Sequence, residues 1–90
     1  MSPLAREVRI ENRRGLHARA SAKFVTLASA LPAAIEVAKD GNAVCGTSIM
    51  GLMMLGAAKG DTIEIRASGE QAEDALAQLV SLVENRFGED

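Results

Sequence analysis

Three short stretches of the sequence alternate apolar and polar residues, and this alternation most constrains the fold. The clearest covers residues 62–67, where every second side chain from Ile63 onward is apolar. Residues 4–11 and 34–39 show the same period. A period of two is typical of a β-strand with one buried and one solvent-exposed face. Such strands favour a mainly antiparallel sheet with its helices on one side.

Two longer stretches repeat apolar residues every three or four positions, as an amphipathic helix does. The first predicts a helix over about residues 18–30, ending before Pro32, because the residue preceding a proline is pushed out of the helical conformation. The second covers residues 70–87 and has acidic residues in its first turn, with Gly88 as its C-cap.

Between these helices the sequence predicts a hairpin and a short helix. Residues 40–42 (Asp-Gly-Asn) accept positive φ, so residues 43–46 are interpreted as the returning strand. The short helix covers residues 49–55 and ends at Gly56, and Thr47 and Ser48 are both possible N-caps. The resulting order, β-α-β-β-α-β-α, predicts an α+β open-faced sandwich with three helices on one face of a four-stranded sheet.

Composition limits the remaining possibilities. Ninety residues with no Trp, no Tyr and two Phe predict one domain, residues 1–90, with an aliphatic core. A net charge of −2 argues against a general nucleic-acid surface, and one Cys with one His provides too few ligands for a zinc site. We expect no metal and no cofactor. Because no apolar run approaches 18 residues, we expect a cytoplasmic protein without membrane insertion.

His17, the only histidine, lies where a glycine-containing turn meets the first predicted helix. The first N–H groups of a helix lack internal partners and carry the positive end of its dipole, so they attract anions. Arg19 adds a permanent cation that binds phosphate well. We therefore interpret His17 as a phosphoryl-accepting nucleophile, although an ordinary capping or solvent-exposed histidine is the alternative. Further basic residues cluster nearby in the sequence: Arg13, Arg14 and Lys23.

Two motifs give the sequence a family resemblance. Residues 15–19 read Gly-Leu-His-Ala-Arg, and residues 47–56 read Thr-Ser-Ile-Met-Gly-Leu-Met-Met-Leu-Gly. Together with the chain length and element order, they resemble the HPr family, the histidine phosphocarriers of the phosphoenolpyruvate-dependent phosphotransferase system. Ala20 stands where many members have proline. Ala20 and the Ala-rich helix are similar to variants from proteobacteria with a nitrogen-type or incomplete phosphotransferase system.

The resemblance implies roles for particular residues and partners. His17 looks like the phosphorylated histidine, through its Nδ1 atom, and Arg19 like the phosphate-stabilising arginine. Ser48 looks like the regulatory serine targeted by HPr kinase, although a plain N-cap explains it equally well. The implied partners are Enzyme I as donor, an Enzyme IIA-type acceptor and an HPr kinase/phosphorylase. The chain would then be a monomeric carrier, a substrate of enzymes and not itself an enzyme.

The apolar side chains beside Ser48 admit two interpretations. They are core, or they form a docking surface, since a helix this short cannot bury every side. We expect docking by Leu16, Ile49, Met50 and Met53. Two rival functions remain at this point: a regulatory domain that binds a small molecule or peptide, and a phosphatase. The phosphatase is disfavoured because no water-activating group is apparent near His17.

Overall fold

Strands and helices follow one another in the order that the sequence predicts, and the α+β fold class is confirmed. The computed structural model describes residues 3–89. Its elements are strand β1 (Leu4–Arg9), helix α1 (Ala18–Ala30), strands β2 (Ala34–Lys39) and β3 (Asn42–Cys45), helix α2 (Ile49–Met54), strand β4 (Thr62–Ser68), helix α3 (Ala72–Glu84) and a final 3₁₀ turn (Arg86–Gly88).

The four strands form one antiparallel sheet in the order β1-β4-β2-β3. The last strand in the sequence, β4, therefore lies inside the sheet between β1 and β2. Val8 of β1 is paired with Ile63, and Val37 of β2 is paired with Ile65. The alternation in the sequence thus brings apolar residues from neighbouring strands onto the same face.

The two faces of the sheet differ in polarity. Ile63 and Ile65 are buried on the inner face, and α3 packs against β1 and β4. The outer face is charged: the Arg66 guanidinium is 2.7 Å from a carboxylate oxygen of Glu36 and also contacts Glu64. Helices therefore cover one face only, as a period of two requires.

A tight hairpin joins β2 to β3. Lys39 is paired with Asn42, and the two residues between them, Asp40 and Gly41, have φ angles of 51° and 84°. Positive φ at both central residues matches the twist of the flanking strands. The predicted turn is therefore confirmed.

The end of the last helix differs from the prediction. The sequence predicted a helix that reaches Phe87 and is capped by Gly88, but α3 ends at Glu84. Arg86 and Phe87 have φ angles of 59° and 55°, which an α-helix cannot contain. Phe87 is still 1% exposed, because the 3₁₀ turn directs its ring into the core. Its apolar spacing was therefore a sign of burial and not of continued helix.

The core is aliphatic around two aromatic rings, Phe24 and Phe87, which are at most 1% exposed. Leu16 and Leu52 belong to the same cluster. No helix within residues 3–89 has the length and apolarity needed to cross a membrane.

The loop between β1 and α1 is held against the segment that follows α2. The Leu16 N–H donates to the Ala57 carbonyl at 2.9 Å, and Gly15 has φ +64°. A Cβ atom at Gly15 would lie 2.3 Å from the Ala57 oxygen. Glycine is therefore required here both by its backbone angle and by the closeness of the two segments.

We predict that Gly15→Ala lowers the free energy of unfolding by more than Gly56→Ala. Both glycines have φ +64°, so both variants carry the left-handed strain, about 1–2 kcal/mol. At Gly56 the added Cβ meets no described atom within 4 Å, whereas at Gly15 it meets backbone. Urea denaturation of both variants isolates the clash, and equal losses of stability would contradict the inferred close approach.

Candidate functional site

His17 is the N-cap of α1, as the sequence predicted. Its backbone is extended (φ −74°, ψ 178°), and its Nδ1 atom accepts a hydrogen bond from the Arg19 N–H at 3.2 Å. The imidazole thus satisfies one of the N–H groups that a helix leaves unpaired in its first turn. The side chain is 14% exposed, so the ring is reachable from solvent at one edge.

The second ring nitrogen has a partner that the sequence did not suggest. The Nε2 atom of His17 lies 2.7 Å from the Oε1 atom of Glu89. Neutral imidazole carries one N–H, and a nitrogen that accepts a hydrogen bond cannot carry it. The two contacts together assign the proton to Nε2 and the lone pair to Nδ1.

Asn12 holds the Glu89 carboxylate in place. Its side-chain nitrogen donates to Glu89 Oε1 at 3.0 Å and to the Gly15 carbonyl at 2.8 Å, and the Asn12 side chain is fully buried. The hydrogen bond from His17, followed by the one from Asn12, lowers the pKa of Glu89 below its ordinary value. Glu89 is therefore ionised at neutral pH.

Sequence reasoning missed Glu89 because it lies 72 residues from His17. The segment before Glu89 contains three consecutive positive φ angles, at Arg86, Phe87 and Gly88, and of these residues only Gly88 signals such an angle in the sequence. The burial of Asn12, which holds the Glu89 carboxylate, is likewise not visible in the sequence.

Basic side chains surround the histidine on its open side. They form a cleft of about 200 Å³ lined by Arg13, Arg14, His17, Arg19 and Glu89. The arginines are exposed and permanently charged, so the cleft favours an anion. Within residues 3–89, no group of three or more His, Cys, Asp or Glu side chains is arranged to bind a metal ion.

Lys23 does not line this cleft, contrary to the expectation from its position in the sequence. Its ammonium group donates to the Phe87 carbonyl at 2.7 Å. Since Phe87 immediately precedes Gly88 and Glu89, this contact fixes the segment that delivers the carboxylate. The side chain of Lys23 is committed to the fold of that segment.

Ser48 is the N-cap of α2, and its hydroxyl oxygen accepts a hydrogen bond from the Gly51 N–H at 2.9 Å. Thr47 is not the cap; its hydroxyl lies 3.1 Å from the Cys45 sulfur. A Cβ atom at Gly51 would lie 3.1 Å from both Ser48 Oγ and Val44 Cβ. Glycine in this short helix therefore leaves room for the cap and for packing against β3.

Most side chains of α2 are exposed and apolar. We call Ile49, Met50, Met53 and Met54 the α2 patch; they are 40%, 74%, 43% and 80% exposed. Leu52 is the buried residue of this helix. The helix that carries the patch packs against α1. The predicted exposure of three of these residues is thus observed, and Met54 joins them.

Leu16 does not belong with that surface, and its assignment to docking is wrong. Its side chain is 5% exposed and packs in the core cluster. The hydrogen bond from its N–H to Ala57 orients the loop so that this side chain points inward. A residue next to His17 in the sequence need not share its exposure.

Comparison with known proteins decides the family. The family described as "PTS HPr component phosphorylation site" matches residues 4–85. This chain belongs to the HPr family. Phosphocarrier protein HPr of Pseudomonas aeruginosa is 46% identical over 94% of the chain and 96% of that protein. Phosphocarrier protein NPr of Shewanella violacea is 38% identical, over 99% and 98%. Similarity to HPr and NPr confirms the resemblance that the two motifs predict.

The fold agrees with that of a solved HPr. The crystal structure of HPr-C-His from Thermoanaerobacter tengcongensis matches with a TM-score of 0.92 and 41% identity, over 97% of this chain and 98% of the other. Similarity at this level over the whole domain confirms the HPr-like arrangement of strands and helices. Membership in the HPr family supports a phosphocarrier role in the phosphotransferase system.

Proposed function

We propose that this chain accepts a phosphoryl group on His17 Nδ1 from Enzyme I and passes it to an Enzyme IIA-type acceptor. The observation that carries the proposal is the hydrogen bonding of the imidazole. Its lone pair lies on Nδ1 at the N-terminus of α1, next to the arginine-lined cleft. A nucleophile and an anion-binding surface therefore coincide.

The transfer is a single displacement at phosphorus. The Nδ1 lone pair forms the N–P bond while the bond between phosphorus and the donor breaks, and that electron pair leaves with the donor. No proton has to leave Nδ1 first. Transfer to the acceptor is the same step with His17 as the leaving group. Phosphoryl transfer depends mainly on positioning and on charge stabilisation, and this site supplies both.

Arg19 contributes in two ways. Its backbone N–H, which donates to Nδ1 in the unloaded protein, becomes available to a phosphoryl oxygen once Nδ1 is bonded to phosphorus. Its exposed guanidinium lines the cleft and offers a fixed positive charge to the same group. Donors that are already in position when charge develops stabilise a transition state most effectively.

The α2 patch is the surface that we assign to docking of Enzyme I and the acceptor. Its four side chains are exposed in a small protein, and exposed apolar clusters of this kind mark interaction sites. Three of them are methionines, whose flexible, polarisable side chains adapt to more than one partner. A carrier must bind a donor and an acceptor in turn, so its docking surface has to adapt to two partners.

Ser48 is the residue that we propose as a regulatory phosphorylation site for an HPr kinase/phosphorylase. It caps α2, so a phosphate on its hydroxyl would face the N–H groups of that helix, which favour negative charge. The same charge would stand beside Ile49 and Met50, which must lose water when a partner docks. Modification would therefore leave the fold intact and weaken docking.

We predict that phosphoenolpyruvate and a bacterial Enzyme I add to this protein a phosphate that acid removes and alkali spares, and that His17→Ala abolishes this labelling. Arg19→Ala should slow transfer by roughly 10²–10³, since the helix N–H groups remain. Radiolabel incorporation measures the first effect and rapid-quench kinetics the second.

The matched control is Arg6→Ala, which removes an exposed arginine on β1 and should leave the rate unchanged. His17→Ala should remain folded, because losing an N-cap costs only about 1 kcal/mol. Circular dichroism checks this. Full labelling of folded His17→Ala would refute the proposal.

For docking, we predict that Met50→Glu weakens binding to Enzyme I by roughly 1–3 kcal/mol, because a charge in the α2 patch would have to lose its water. The melting temperature should hardly change, since the side chain is 74% exposed. Leu4→Glu, at an exposed position of β1, is the control for the added charge. Isothermal titration calorimetry measures the affinities; equal effects of the two variants would remove the patch from the interface.

For regulation, we predict that Ser48→Asp keeps or raises the melting temperature while slowing phosphorylation by Enzyme I at subsaturating concentrations. The carboxylate can accept the Gly51 N–H bond and adds negative charge beside the patch. Ser48→Ala, the control, should lose about 1 kcal/mol of stability with the cap and transfer normally. Normal transfer in Ser48→Asp would leave Ser48 with the capping role alone.

A further inference from the structure

We propose that Glu89 is the positioning residue of His17: it holds the imidazole with its lone pair on Nδ1 and stabilises the positive charge that the ring acquires on bonding to phosphorus. The inference rests on the proposed function, because it concerns the same histidine. It adds a residue that lies outside both sequence motifs.

Hydrogen bonds to its two ring nitrogens select the tautomer of the His17 imidazole. A neutral imidazole carries its proton on either nitrogen, and a phosphoryl group adds only to the nitrogen without it. The solvent-exposed backbone N–H of Arg19 donates to Nδ1 at 3.2 Å, which is a long hydrogen bond. The 2.7 Å contact between Nε2 and the carboxylate is short and charge-assisted, so it dominates the choice.

The Glu89 carboxylate also faces the positive charge that the His17 ring acquires during transfer. When the Nδ1 lone pair bonds to phosphorus, Nε2 still carries its proton, so the ring becomes an imidazolium cation. The carboxylate beside Nε2 then faces a positive charge where it previously faced a neutral ring. His17 and Glu89 side chains are only 14% and 18% exposed, so water screens this attraction poorly. An interaction that strengthens during the reaction accelerates it.

Several contacts hold Glu89 in place. The side chain of Asn12, which is fully buried, donates to the Oε1 atom of Glu89. Lys23 donates to the carbonyl of Phe87, which lies two residues before Glu89. The ring of Phe87 is anchored in the core. The β1–α1 loop, α1 and the core therefore all help to hold the carboxylate. A side chain that orients another residue has to be held in this way.

The same arrangement carries local costs. Arg86 and Phe87 adopt positive φ angles, which are unfavourable for side chains other than glycine. Within residues 3–89, Asn12 Oδ1 and Glu89 Oε2 are buried without a hydrogen-bond partner. Buried acceptors of this kind lower stability. Backbone strain of this kind is concentrated at functional sites, where the surrounding contacts hold it in place.

The test compares Glu89→Gln and Glu89→Ala with the control Glu84→Gln, which removes an exposed carboxylate at the end of α3. The first readout is the ¹⁵N chemical shift of each ring nitrogen of His17, at a pH where the imidazole is neutral. We expect the Nε2–H tautomer in the unmodified protein, in Glu84→Gln and in Glu89→Gln, whose amide oxygen still accepts from Nε2 and Asn12. Glu89→Ala should give a mixture of tautomers.

The second readout is the rate of phosphorylation by Enzyme I. Because a hydrogen bond to a charged group changes a rate about 10- to 100-fold, Glu89→Ala should be slower by that factor. Glu89→Gln should be slowed about tenfold, since it keeps the tautomer and loses the charge. Glu84→Gln should react at the normal rate. Amide spectra of each variant establish that it is folded, and Glu89→Gln preserves side-chain size and hydrogen bonding.

The outcomes separate this inference from the proposed function. An unchanged tautomer in folded Glu89→Ala, or a normal transfer rate in both Glu89 variants, would overturn the positioning role. Absence of labelling in the unmodified protein would refute the phosphocarrier proposal instead, and the tautomer measurement would still decide whether Glu89 orients the ring.

Discussion

The hydrogen bond between the Leu16 N–H and the Ala57 carbonyl is the contact on which the site depends. It brings the β1–α1 loop so close to the segment after α2 that only glycine fits at position 15. Leu16 then enters the core, and His17 is placed at the N-cap of α1 with its side chain 14% exposed. Moving this loop would displace His17 and the N-terminus of α1 together.

Most of the fold could be predicted because its strands and helices are specified by patterns within short stretches of the sequence. A period of two located β2 and β4, and the spacing of three and four located α1 between a turn and a proline. Capping chemistry placed His17 and Ser48 at helix starts. The prediction for α3 went wrong at its end, because an apolar residue at helical spacing indicates burial in any conformation, and Phe87 is buried from a 3₁₀ turn.

The candidate site could be predicted only in part, for a related reason. His17, Arg13, Arg14 and Arg19 are neighbours in the sequence, and they line one cleft in the structure. Glu89 reaches the same cleft through three long-range contacts involving Asn12, Lys23 and the core, none of which leaves a local pattern. Leu16 shows the converse error, since adjacency to His17 suggested exposure and the loop geometry buries it.

The small share of α2 that is buried has a consequence for how such a protein changes over time. One residue of this helix, Leu52, is committed to the core, and the most exposed side chains of the α2 patch, Met50 and Met54, contribute little to the free energy of folding. Substitutions at these exposed positions are therefore hardly filtered by stability, and under the proposed docking role they are filtered mainly by recognition. The histidine site has no such freedom, because its ring, its carboxylate and its glycine turn constrain one another. Under the proposed docking role of the α2 patch, partner preference can drift in this protein while the histidine site stays fixed.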